Sequence, residues 1–179
     1  LQKKIKNAKI LKMFFFSVKE YEKNKQGIRN EIQRKFNDSD KLIVRSSALD
    51  EDKKNKVNAG KYLSITNVSK SKLSESIEKI ILSYGKRSNK KNLVLIQPMI
   101  KNVYLSGVFL SKEPNKNADY FVINYNRGQD TSSVTSGKKC FSRFIYKNKQ
   151  IKKDFLSDIL IKLYYELTVL LKVKDLDIE

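Results

Sequence analysis

The chain has 179 residues, 40% of them apolar, and sets 38 lysines and arginines against 19 acids for a formal charge of +19. That suffices for one core-bearing domain or two small lobes of one; no apolar run approaches the ~18 residues of a membrane span, and the lone Cys140 permits no internal disulfide and suits a reducing cytoplasm. The absence of histidine excludes a His-based triad, a His metal site or a phosphohistidine within this segment.

In chain order, residues 1–12 predict a Lys-rich helix, "MFFFSV" a short strand, and "QGIRNEIQRKF" a helix with Ile28, Ile32 and Phe36 on one face. "KLIVRSS" predicts a buried strand that breaks into a polar stretch and resumes by Val68. "SKLSESIEKIILSYGKR" predicts a core-facing helix, with Leu73, Ile77, Ile80, Ile81 and Tyr84 on one stripe and Gly85 as its stop. Four short β-branched or aromatic runs follow, "NLVLIQPMI", "VYLSGVFLS", "DYFVINYN" and "CFSRFIYKN", separated by turn clusters. An amphipathic helix from Asp154 to Leu171 turns Leu156, Ile159, Leu160, Leu163, Leu167 and Leu170 inward. The expectation is an α+β chain, with a helix-rich first lobe over residues 1–90 and an antiparallel second lobe over residues 91–179. It begins at Leu1 and ends on "DLDIE", and reads as a piece of a longer protein.

The charge invites a nucleic-acid reading, because a basic face is the footprint of phosphate-backbone binding. Only six of the basic residues are Arg, however, and the lysines are spread over every segment. Dispersed lysines are the pattern of a solvated surface, whereas nucleic-acid binders concentrate Arg and aromatics on one face.

Four constellations can carry chemistry. Arg45 leaves the strand "LIV" where a side chain becomes exposed, and its planar fork suits bidentate phosphate contact or an ion pair with Asp50, Glu51 or Asp52. "NAGKYLS" offers a close backbone approach at Gly60, a point charge at Lys61 and a hydroxyl at Ser64, or simply a turn. "VLIQPMI" is interrupted by Gln97 and Pro98, which marks an edge strand or a strand end, with backbone groups open to a flat ligand. "DLDIE" puts Asp177 and Glu179 on one face of a strand, either solvated or sharing a divalent metal.

"VRSSALDED", "NAGKYLSITNV", "VLIQPMI" with "LSGVFLSKEPN", "VINYNRGQDTSSVTSG" and the final "DIE" stand in the order of one family. Together, over residues 41–179, they resemble the ATP-grasp nucleotide-binding domain of phosphoenolpyruvate synthase and pyruvate phosphate dikinase. "NAGKYLS", "QPMIKNVYLSGV" and "YFVINYN" are similar, more narrowly, to kinases of capsular-polysaccharide loci, the glutamine kinase among them.

The resemblance implies an ATP-grasp-like fold and a phosphotransferase. A phosphoryl group would pass from ATP to a histidine on another domain of the same longer chain, then to a small-molecule acceptor such as pyruvate or the amide of L-glutamine, with AMP and phosphate released. It implies Arg45 as the catalytic ligand of the ATP phosphates, residues 58–64 (with Gly60, Lys61 and Ser64) as the loop over them, and Gln97, Pro98, Met99 and Ile100 as the adenine hinge. Asp177 and Glu179 would hold Mg2+. Relatives have a glycine-flanked lysine near the domain start that nothing before Lys41 resembles, and Asn124 stands where the synthases commonly have an acid. The rival is a non-catalytic basic module for nucleic acid or a partner protein.

Overall fold

The computed structural model describes residues 4–48, 63–85, 89–114, 118–128, 140–147 and 154–179. The chain forms two compact units, Leu11–Ile100, and Leu1–Ile10 together with Lys101–Glu179. No helix among the described residues is long and apolar enough to cross a membrane.

The unit Leu11–Ile100 contains β1 (Phe14–Ser17), α1 (Val18–Lys23), α2 (Lys25–Lys35), β2 (Leu42–Ser47), β3 (Ser64–Val68), a 3-10 turn (Lys70–Lys72), α3 (Leu73–Ser83) and β4 (Leu93–Pro98). Its sheet runs in the order β1-β4-β2-β3, antiparallel at every pairing. Alternation along the strands sends Phe16, Leu42, Val44, Val94 and Ile96 to one face, where they form a core with Ile32, Phe36, Leu73, Ile77 and Ile80 from the helical segments. Each such side chain contributes on the order of 1.5–3 kcal/mol on burial, and this sets which face of the sheet is closed. The expected stripe on α3 is the one observed, with Ile81 and Tyr84 packed at its margin. Gly85 follows with a φ of 82°, the left-handed stop that glycine permits. The Tyr84 hydroxyl then ties this helix end to the sheet, accepting from the Ser47 amide and donating to the Leu93 carbonyl.

Several local expectations are corrected. Described residues 4–13 form no helix; the backbone amides of Lys6 and Asn7 are bonded to Glu166 instead. A helix not anticipated, α1, starts directly after β1 because Ser17 and Glu20 form a capping box. Of the two readings of "VLIQPMI", the edge strand is overturned, since β4 lies between β1 and β2, whereas the strand end holds, Pro98 being its last residue. That pairing places β4 in the unit Leu11–Ile100.

The second unit holds β5 (Leu105–Leu110), β6 (Tyr120–Arg127), β7 (Phe141–Tyr146), α4 (Phe155–Leu171) and β8 (Asp177–Ile178), with the antiparallel sheet order β7-β6-β5-β8. The α+β class with antiparallel sheets is therefore as expected. Phe109, Phe121, Ile123 and Ile145 of the sheet pack with Ile161 and Tyr164 of α4, and Phe121 meets the Tyr164 ring edge-on at 5.0 Å. Leu163 and Leu167 are buried as the periodicity predicts, whereas Ile159 is exposed and Ile161 and Tyr164 take inward places. Asp154 caps α4, accepting from the amides of Leu156 and Ser157.

Candidate functional site

In the first unit, the face of the sheet opposite the core carries the candidate residues. Phe15, Leu95, Arg45 and Ser64 are successive partners across β1, β4, β2 and β3, so they form one row over all four strands. Their neighbours along each strand, Phe16, Val94, Ile96 and Val44, are buried in the core, which turns the row to the other side. Gln97 pairs with Ile43, two residues along β2 from Arg45, and so belongs to the same face. The structure thus brings together three residues that lie far apart in sequence: Arg45 and Ser64 directly opposite each other, Gln97 diagonal to Arg45. Arg45 and Gln97 are half-buried and Ser64 is exposed.

The register of β2 with β3 shifts between Leu42 and Val44, and the nearby Asn67 adopts a φ of 57°. One extra β3 residue is accommodated there as a bulge. Without it, the alternation of β3 would not match both Val44 with Ile65 in one register and Leu42 with Val68 in the next. Ser64 therefore owes its place beside Arg45 partly to this irregularity, which no sequence pattern announces.

Past Pro98, the amide of Met99 donates to the carbonyl of Lys41 at 2.9 Å. Pro98 has no amide proton and that of Met99 is already used, so neither can donate to a base; the carbonyls of this segment and the Ile100 amide are the backbone groups left to consider. Gly60 and Lys61 lie outside the described residues, as do Asp50, Glu51 and Asp52, the ion-pair partners weighed for Arg45.

In the second unit, Asp177 and Ile178 form the short strand β8 beside β5, paired with Leu110 and Phe109. Two further bonds stitch it there: Ser111 donates its amide to the Leu176 carbonyl at 2.9 Å, and the Leu176 amide donates to Ser111 Oγ at 2.7 Å. Ile178 packs toward the core, so Asp177 and Glu179 alternate to the opposite face. Val108, Asn124 and Ser142 share that face, and the Ser142 hydroxyl donates to Asn124 Oδ1 at 2.8 Å. Burial raises the carboxyl of Asp177 above its ordinary range, and the adjacent charge of Asp175 adds to this. No cluster of three or more His, Cys, Asp or Glu able to hold a metal occurs among the described residues. Asn124 was singled out in the sequence, but its partner Ser142 was not, because nothing in "CFSRFIYKN" shows which residue of β6 it faces.

One unit thus sets Arg45 beside Ser64 on a sheet face, and the other ends on Asp177 and Glu179. The chain belongs to the family of the pyruvate phosphate dikinase AMP/ATP-binding domain, which matches residues 5–166. That match contains Arg45, Ser64 and the Gln97–Ile100 segment and stops before Asp177 and Glu179. Among solved structures, the chain is similar to the D-alanyl-alanine synthetase A of Vibrio cholerae O1 biovar eltor, at a TM-score of 0.48 and 11% identity, over 93% of this chain and 44% of that one. The chain thus spans less than half the length of that protein. A comparison with curated proteins finds no match.

Proposed function

We propose that this chain is the ATP-binding part of a phosphoenolpyruvate-synthase-like phosphotransferase with an ATP-grasp-like plan. The observation that carries the reading is the cross-strand row with Arg45 opposite Ser64, on the open face of a sheet whose other face is core, in a chain of the AMP/ATP-binding family. Arg45 offers a bidentate, permanently charged fork to phosphate oxygens, and the Ser64 hydroxyl adds a donor beside it. Gln97 and the carbonyls after it read the base. The chain has no histidine to accept a phosphoryl group, so that role falls to a domain outside this sequence, which hands the group to a small-molecule acceptor; the motif resemblance favours the side-chain amide of L-glutamine in capsule biosynthesis.

Asp177 and Glu179 suit Mg2+ by donor type, being hard carboxylate oxygens on one strand face, with the Asn124 amide on the same face of the same sheet. When bound, the ion neutralises charge on phosphate oxygens. The protein's own share of the work is positioning: phosphoryl transfer leaves little covalent chemistry to the chain once the cation clamp and acceptor are aligned.

Calorimetric titration with MgATP, ADP and adenosine tests the reading. Saturable binding that prefers ATP is expected, and Arg45→Ala should bring the three ligands to similar affinity. An ATP preference that survives Arg45→Ala overturns the phosphate role. A thermal shift with short DNA and none with MgATP at millimolar concentration replaces the whole reading by the basic-module alternative.

A further inference from the structure

We infer that Phe15 is the aromatic platform for the nucleobase and a determinant of base affinity at this site, an inference that rests on the nucleotide-binding reading above. The run "FFF" at the start of β1 places Phe14 and Phe16 with the core and leaves Phe15 on the opposite face, 60% exposed. A large apolar ring held open to water on a strand has lost the burial that would repay its exposure, and among the described residues Phe15 has no ring partner, unlike Phe14 and Phe16, which contact each other at 5.9 Å.

Its position is set by register. Phe15 pairs with Leu95, which pairs with Arg45. Two strand spacings therefore separate Phe15 from Arg45, about 10 Å, and an extended nucleotide covers a comparable length between its base and its second phosphate. Gln97 sits one step further along β4 on the same face, so a ring, a side-chain amide and a guanidinium are ranged along one sheet surface with the apolar Leu95 between them. A flat heteroaromatic base takes the ring and Leu95, its edge is offered the Gln97 amide, and the phosphates lie toward Arg45 and Ser64. Stacking on an aromatic side chain is tolerant of base identity, so Phe15 supplies affinity for purine bases in general and Gln97 the discrimination between them.

Calorimetric titrations of the 179-residue chain and its Phe15→Ala and Phe15→Tyr variants with MgATP, adenosine and tripolyphosphate separate this inference from the reading beneath it. Phe15→Ala should weaken ATP and adenosine about tenfold, within the range of one base–aromatic stack, and leave tripolyphosphate unchanged; Phe15→Tyr should keep all three affinities. The exposed position predicts that both variants melt as the parent chain does. Adenosine binding by Phe15→Ala at the parent's affinity overturns the platform and leaves the nucleotide reading standing. Loss of tripolyphosphate binding in step with adenosine overturns it too, because the effect is then not confined to the base. A parent chain that binds none of the three ligands overturns both.

Discussion

Glu166 in α4 accepts hydrogen bonds from the backbone amides of Lys6 at 2.5 Å and Asn7 at 2.9 Å, and from the Asn7 side-chain amide at 2.8 Å. The bond from the Asn7 amide, joined by those from Lys6 and the Asn7 side chain, holds the carboxyl below its ordinary value of 4.5. A carboxyl depressed in the folded state stabilises the clasp above its unfolded pKa and loses that contribution as pH falls through the folded one. The amide resonances of Lys6 and Asn7 should therefore titrate together with a midpoint below 4.5, and Glu166→Ala should shift both at neutral pH. A midpoint at or above that value would show that the clasp is not held by the ionised carboxylate.

Asp154 joins the start of α4 to β7. Burial pulls its carboxyl upward, but hydrogen bonds from Ser157 and the guanidinium of Arg143 overcome this and lower it from 3.8 to about 2. The group is half-exposed, so solvent screening removes much of the ion-pair strength and the helix cap carries the larger share. Asp154→Ala should cost about 1–2 kcal/mol, typical of a lost N-cap, read from denaturant unfolding at pH 7. The deficit should shrink as pH falls below the ordinary carboxylate range toward 2; a deficit constant over that interval would contradict the ionised cap.

Gly107 on β5 faces Tyr125 on β6. A Cβ added there would overlap the carbonyl oxygen of Asn124 and come within 3.0 Å of Tyr125 Cα. Backbone cannot yield as a side-chain end can, so Gly107→Ala should destabilise by about 1–3 kcal/mol, the usual range for forced overpacking. It should also disturb Asn124 and Ser142 on the acid-bearing face. Unfolding at the parent midpoint would mean that β5 and β6 are further apart than described.

Asp177 has a raised carboxyl pKa. The folded state then holds the proton more tightly than the unfolded one, and stability falls as pH rises from the ordinary carboxylate value through the raised one. Removing the charge should help the fold: Asp177→Asn is expected to raise the melting temperature slightly near neutrality while abolishing any Mg2+-dependent part of nucleotide affinity. On the proposed function, Glu179→Gln should likewise abolish the Mg2+-dependent part of ATP binding at unchanged stability. Unaltered Mg2+ dependence in both variants would remove these carboxylates from the metal role.

The strands and the helices α2, α3 and α4 were legible because each has a strong period: the α3 stripe from Leu73 to Tyr84 and the β-branched runs read directly as a helix and strands. What escaped depended on partners remote in sequence. Lys6 and Asn7 are held by Glu166, about 160 residues further along the chain. β4 was open to reading as an edge strand or as a strand ending at Pro98; the end is where the proline stands, and the central place follows from β1 and β2, which flank it. Of the candidate site, Arg45, Ser64 and Gln97 were chosen by residue chemistry, yet their common face follows from register and a bulge, which local propensity does not specify. Phe15 was indistinguishable from its two neighbours until the alternation of β1 was known.

The division of the chain into units bears on synthesis. The unit Leu11–Ile100 is continuous, and all its strands have been made once Pro98 emerges. The other unit is split around it, and residues 6 and 7 meet their acceptor 160 and 159 positions later. At ribosomal rates of roughly 5–20 residues per second, Lys6 and Asn7 wait on the order of ten to thirty seconds for Glu166 to be translated. The inner unit can fold cotranslationally while the outer one stays open, so pausing or truncation upstream of α4 should yield nascent chains with a folded middle and an unclasped N-terminal segment.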